Sequence, residues 1–147
     1  MFKKYIFTFI LVVSTFVLQG CMPVTKPFTP TKLEANKGLI YLYRPDSFIS
    51  KGLTWLVDVN GKEYSDFFIN NGYIPVPVKP GDVTIAIKEN SLVKGTFDTL
   101  RIKNVKKGET YYVKAIAKPF SFHKLQLVDN KIGKKEINKT VYFMKPQ

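Results

Sequence analysis

One cysteine and one histidine are all that this 147-residue chain offers of the two most versatile reactive side chains. The cysteine, Cys21, closes the segment Leu18-Gln19-Gly20-Cys21. Before it runs an almost unbroken apolar stretch from Tyr5 to Leu18, headed by Met1-Phe2-Lys3-Lys4. A cationic head, an apolar run of roughly 7–15 residues and a small residue at the cut make a cleaved export signal. The run is short for a membrane-spanning helix, which needs about 20 residues. Most free cysteines are small buried hydrophobes, but a cysteine directly after such a run is not placed for a folded core. Its thiol is the one group in the chain whose position calls for covalent chemistry.

The remaining inventory is thin. His123 is the sole histidine, so a two-histidine metal site or a histidine relay within one chain is excluded; in Phe120-Ser-Phe-His-Lys124 it reads as an exposed or half-buried strand residue. Asp58-Val-Asn60-Gly61 begins like a calcium loop, yet the later ligands and terminal Glu are missing at the required spacing. A hairpin turn is the reading there. There is no Gly-rich phosphate loop, Gly-x-Ser-x-Gly elbow or paired acidic constellation. No catalytic residue, metal ligand or cofactor is assigned, and the chain is not expected to be an enzyme.

Leu18, Gln19, Gly20 and Cys21 together resemble the lipobox of bacterial lipoproteins. That resemblance implies a diacylglyceryl group on the Cys21 thiol, cleavage just before it and a mature chain held to the membrane by lipid. It places the protein in the cell envelope. Met22 is not the aspartate that retains lipoproteins in an inner membrane, so a Gram-negative source implies the outer membrane, facing the periplasm.

Three segments follow: a signal peptide at 1–20, a lipidated cysteine with a Pro/Thr-rich tether at 21–37, and a folded domain at 38–147. The domain is long enough to bury a core without disulfides. Between Met22 and Lys37, three prolines and three threonines describe an extended, semi-rigid tether spanning some 50 Å at about 3.1 Å per residue, or in part a first edge strand. The net charge is +12, of which Lys3 and Lys4 supply two. Anionic head groups or cell-wall polymers suit that balance. Nucleic acid does not: the chain is exported, and Arg44 and Arg101 are its only arginines, too few for base readout by guanidinium forks.

Downstream of Gly38, short apolar runs alternate with Gly, Pro, Asn and Asp. Gly38-Leu-Ile-Tyr-Leu-Tyr-Arg44 is apolar on both faces, as a central covered strand must be. Leu53, Trp55, Val57 and Val59 alternate with Thr54, Leu56, Asp58 and Asn60 and lead to Asn60-Gly61, the strongest hairpin signal. Pro75 and Pro77 confine Gly72–Val78 to an edge or an irregular crossing. Val83–Ile87, Leu100–Ile102, Tyr111–Ala117 and Leu125–Val128 read as further strands, Gly133–Asn138 as a helical turn and Val141–Met144 as a last strand. Gly108 and Tyr111 resemble the tyrosine corner of immunoglobulin-like sandwiches. The fold class is therefore all-β: an antiparallel, immunoglobulin-like β-sandwich of about seven or eight strands.

Gly38-Leu-Ile-Tyr-Leu-Tyr-Arg44-Pro45, Val57-Asp-Val-Asn-Gly-Lys62, Gly72-Tyr73, Val78-Lys-Pro-Gly81 and Gly108-Glu-Thr-Tyr-Tyr-Val113 together resemble a bacterial lipoprotein domain, domain of unknown function 2846. The resemblance runs from about Lys37 to Ile137. The hairpin and the Pro-Gly turn are also similar to PEGA-type surface domains. Fold and anchoring are implied; an activity is not.

Phe48, Phe67, Phe68, Tyr73, Phe120 and Phe122 lie in or beside loops, where exposed aromatics suit glycan or protein contact. Lys103, Lys106 and Lys107, and Lys131, Lys134, Lys135 and Lys139, form two basic groups. The function expected is a structural or protein- or glycan-binding role at the envelope. Two other classes compete: a small envelope enzyme or inhibitor with a site built from loop residues, and a polyanion or phospholipid-surface binder using the lysines.

Overall fold

The computed structural model describes residues 25–92 and 95–143. The export signal expected at residues 1–20, with Leu18, Gln19 and Gly20, and the acylation expected at Cys21 lie outside the described residues. The strands are β1 Thr25–Pro27, β2 Gly38–Arg44, β3 Trp55–Val59, β4 Lys62–Phe68, β5 Gly72–Val78, β6 Gly81–Glu89, β7 Thr96–Val105, β8 Thr110–Ile116, β9 Lys124–Val128 and β10 Val141–Phe143. One helix, α1, spans Asn130–Ile137. They form two facing sheets, ordered β1-β10-β5-β2-β8-β9 and β4-β3-β6-β7. This is the all-β sandwich expected, with ten strands among the described residues rather than seven or eight: β10 is the last strand expected at Val141–Met144, and β1 is the added one.

β2 is central, and all seven of its residues are buried. Ile40 and Leu42 face the sandwich interior with Trp55, Val57, Ile85 and Val113. Leu39, Tyr41 and Tyr43 face outward into a second cluster with Tyr73, Tyr112 and Ile137. β2 pairs antiparallel with β5 but parallel with β8. The chain visits the second sheet twice between β2 and β8, and that long crossover is what a parallel neighbour requires. The β3–β4 turn forms as Asn60-Gly61 demands, with both residues at positive φ (51° and 77°). The prolines of β5 are accommodated because β2 covers one side of that strand, whereas β10 meets it only at Gly72.

The stretch 21–37 is not a free tether throughout: from Thr25 onward it belongs to the fold. β1 pairs with β10, and the Phe28 ring packs edge-on against Tyr41 and Tyr73 at 5.3 and 4.9 Å. The Thr29 and Thr31 N–H groups donate to the hydroxyls of Tyr73 and Tyr41 at 3.1 and 2.7 Å. The physical reason is the tyrosine face of β2 and β5, which needs an apolar cover that can also satisfy its hydroxyls. Of the sixteen residues from Met22 to Lys37, those from Thr25 onward are therefore part of the fold.

α1 covers the rest of that face. Asp129 caps it, its carboxylate accepting the Lys131 N–H at 2.8 Å, and Gly133 lies directly on Tyr112. Glu136 accepts the buried Tyr43 hydroxyl at 2.5 Å and pairs with Lys114 at 2.9 Å. Burial raises the Tyr43 pKa, and Glu136 raises it further. The helix is longer than the single turn expected, because Asp129 starts it a full turn earlier.

Candidate functional site

The register gathers the loops. Arg44 is opposite Gly72, Tyr43 opposite Lys114, Ile116 opposite Lys124, and Trp55 opposite both Phe68 and Glu89. The connections 45–54, 69–71, 90–95 and 117–123 therefore share one end of the sandwich. The turns 60–61, 79–80 and 106–109 share the other.

Beneath the first end lies a buried polar knot. The Arg44 side chain is fully buried; its guanidinium stacks 3.8 Å above the Trp55 ring. It donates to the carbonyls of Ser50 (2.5 Å), Leu53 (2.8 Å) and Phe68 (3.4 Å), pinning the 45–54 loop to the ends of β3 and β4. Burial lowers its pKa to about 10, which leaves it charged at neutral pH. On the other face of the knot, His123 is 3% exposed, stacked 4.4 Å from Trp55 and edge-on to Phe97 at 4.5 Å. Its Nδ1 accepts the Lys118 N–H at 3.0 Å, which fixes the neutral tautomer with the proton on Nε2. Burial, and the Arg44 charge, hold its pKa below the ordinary histidine value. His123 is thus neither exposed nor half-buried as its sequence context implies: the left-handed turn at Phe120 and Ser121 (φ 55° and 60°) folds the strand start back under the loop.

Further bonds tighten this end. Asn70 bridges the Ser47 N–H and Asp46, Asn90 holds Thr54 and the Asp66 carbonyl, and Asp98 takes the Leu125 N–H at 2.7 Å, joining the two sheets. A bulky residue at positive φ costs of order 1–3 kcal/mol, so the Phe120 conformation persists only because its surroundings hold it.

Of the six aromatics singled out in the sequence, Phe48, Phe120 and Phe122 stand in solvent at 96%, 91% and 69% exposure, all at this end. Phe67 is half-buried. Phe68 and Tyr73 are core residues: Phe68 packs edge-on to Trp55 at 6.2 Å, and Tyr73 belongs to the outer cluster. Each sits where a strand enters or leaves the sheet, so proximity to a loop did not mean exposure. The structure adds Leu53 and Leu92, both exposed. Leu53 continues the alternation of β3 and so reads as a core residue, but β3 begins only at Trp55.

The opposite end carries exposed Lys62, Lys79, Lys106 and Lys107. Tyr111 fastens its last turn, its hydroxyl accepting the Lys106 N–H at 3.1 Å and donating to Glu109 at 2.8 Å. The second basic group, Lys131, Lys134, Lys135 and Lys139, is exposed on and just after α1. Asp58 pairs with Lys88 and Asn60 accepts the Thr84 N–H at 2.9 Å, so both hairpin oxygens serve the sheet. Among the described residues, no three His, Cys, Asp or Glu side chains gather as metal ligands do, and no helix is long and apolar enough to cross a membrane.

No curated protein matches the chain. A family model, Protein of unknown function (DUF2846), matches residues 34–123. The match takes in β2 to β8, the apolar loops and the His123 that pins the last of them, and leaves β1, β9, α1 and β10 outside. On that match, over more than half its length, the chain belongs to the DUF2846 family.

Proposed function

We propose that this is a lipid-anchored cell-envelope protein with a structural or binding role, whose sandwich contacts a protein or glycan of the envelope rather than transforming it. Cys21 carries the anchor in this reading, and the apolar loop end is the contact surface. The observation that carries it is that end: Phe48, Leu53, Phe120 and Phe122 stand in water on loops fixed from beneath by Arg44 and His123. Apolar side chains gathered on one end and rimmed by polar residues mark an interaction site. Rigid aromatic anchors need little further ordering when a partner closes over them.

Two experiments test the reading. A photo-crosslinking residue replacing Phe120 in intact cells is expected to capture one discrete envelope component, with a residue replacing exposed Lys131 as the control; equal, diffuse labelling from both positions refutes the contact surface. Cys21→Ser is expected to release the chain from the membrane fraction, and unchanged recovery in that fraction refutes the anchor.

A further inference from the structure

We infer that the lysine-bearing end of the sandwich is a membrane-contact surface, seated on anionic phospholipid head groups so that the apolar end points away from the bilayer. This rests on the lipid anchor at Cys21 and gives the proposed function its orientation. Two independent observations lead to it.

The first is where the chain enters the fold. Thr25 is level with Phe143 and Pro27 with Val141, and Val141 is level with Gly72 at the apolar end. β1 therefore runs from the lysine end toward the apolar end, and the backbone at Thr25 points back toward the lysines. Thr25 stands about two residues below Gly72, with some four more down to Val78, roughly 13 Å at 3.3 Å per residue. Cys21 is four residues before Thr25, a reach of at most about 14 Å. A lipid on Cys21 can meet the level of the lysine turns, and it cannot lift the domain clear of the surface. The same reach also covers the roughly 7 Å from Thr25 up to the level of Gly72, so the short entry keeps the domain at the surface and brings the chain in from the lysine side, and it is this direction together with the lysines that favours the lysine end.

The second is charge. Lys62, Lys79, Lys106 and Lys107 project from the three turns of that end. Among the described residues, none of the four has a carboxylate partner. Of the neighbouring acids, Glu34 pairs with Lys37, Asp82 with Arg101 and the Asn104 N–H, and Glu109 with Tyr111; exposed Glu63 follows Lys62 in the same hairpin. A lysine at an anionic surface strengthens the contact about fivefold, and the attraction falls off within a Debye length. The surface therefore acts only because the anchor keeps it close.

The test uses the full chain, purified from membranes of a bacterial host and reconstituted into phosphatidylcholine vesicles with or without phosphatidylglycerol. Mass spectrometry first establishes whether Cys21 carries diacylglyceryl; an unmodified cysteine overturns the anchor reading, and this inference with it. In the lipidated protein, a fluorophore at Pro80→Cys or Phe120→Cys reports energy transfer to a head-group-labelled lipid. Both positions are exposed, and acylation of Cys21 leaves the new thiol as the only free one. Transfer from position 80 is expected to exceed that from position 120 several-fold in anionic vesicles. The difference should collapse in high salt, in neutral vesicles, and when Lys62, Lys79, Lys106 and Lys107 are all changed to Gln. Equal transfer from both ends, greater transfer from position 120, or a difference insensitive to the four substitutions in lipidated protein overturns the inference while leaving the anchor standing.

Discussion

Arg44→Met tests the claim that a buried, carboxylate-free guanidinium sets the shape of the apolar end. Two of its hydrogen bonds are short, to Ser50 and Leu53 at 2.5 and 2.8 Å. At about 1.5–3 kcal/mol for a charged donor, they are together worth roughly 3–6 kcal/mol. The stack on Trp55 at 3.8 Å adds about 2 kcal/mol in a desolvated site. Against this stands the burial that lowers the guanidinium pKa to about 10, a penalty of roughly 3 kcal/mol. The net expectation for Arg44→Met is a loss of about 2–5 kcal/mol. For a domain of this size, that is a fall in Tm of roughly 8–20 °C. The local consequence is more specific than the global one. Ser50 is held at φ 57° with its carbonyl turned to Arg44, and without that bond the 45–54 loop has no reason to keep the turn. Lys51 sits in that loop, exposed, so trypsin cleavage after Lys51 should accelerate well beyond the change in global stability. Urea unfolding and timed tryptic digestion, both on the full chain, measure the two quantities. An Arg44→Met protein as stable as the parent and equally resistant at Lys51 would mean that the desolvation penalty cancels the bonds, and the assignment of Arg44 as the organiser of this end would fall.

Three further outcomes are expected. The lowered pKa of His123 means that the unfolded chain binds a proton before the folded one does; its contribution is fully present above about pH 6.5, and stability falls by up to about 1.4 kcal/mol per pH unit as pH drops from there toward the folded pKa. Urea unfolding between pH 7.5 and 5 should show this slope in the parent and not in His123→Phe, and identical profiles would refute it. In Gly133→Ala, the new methyl would lie 2.3 Å from Tyr112 Cβ and Cγ. Overpacking of about 1–3 kcal/mol should outweigh the helix-propensity gain of about 1 kcal/mol, and a higher melting temperature would refute the close approach of α1. Tyr111→Phe removes two hydrogen bonds from the 106–109 turn and should cost about 1 kcal/mol; an unchanged melting temperature would count against the tyrosine-corner role.

How much of this was legible in the sequence depends on the range of the interactions involved. The β3–β4 turn was, because Asn60-Gly61 decides its own backbone within two residues. β2 was too: an apolar run on both faces needs covering on both sides, whichever elements supply the cover. The cover itself was not legible. A Pro/Thr-rich stretch with few large apolar residues looks like a tether, and only the outer tyrosines of β2 and β5, ten or more residues away in sequence, give Phe28, Thr29 and Thr31 something to bind. His123 and Arg44 were missed for a related reason. His123 stands just before a strand, where sequence pattern predicts exposure, and Arg44 closes a run read as covered on both faces with no role of its own; each is buried because a loop folds back to use it. Phe68 and Tyr73 fail in the mirror image: loop-adjacent residues that the two cores claim.

Those misses bear on function because they set the exposed phenylalanines at one end, beside Lys51 and Lys124, and the four turn lysines at the other. Had the stretch to Lys37 been free, the domain could have presented any face to the membrane, and the lysines and phenylalanines would have been scattered features of a basic sandwich. With β1 paired to β10, the entry point is fixed and the chain comes into the sheet from the lysine side. The residues that dress both ends lie within positions 34–123, the stretch that matches the family: Lys62, Lys79, Lys106 and Lys107 at one, Phe48, Leu53, Phe120 and Phe122 at the other. The segments outside it supply the entry strand and the cover of the outer sheet. Both ends thus lie within the part of this chain that matches the family, and in the orientation proposed above the N-terminal segment adds the direction of entry. A chain in which Thr25–Thr31 is replaced by a Gly/Ser spacer of equal length separates the two. It should keep both ends and lose the tyrosine cover, so that in vesicles the probes at positions 80 and 120 report nearly equal transfer. Retained asymmetry in that chain would show that the lysines alone set the orientation and that the short entry is incidental.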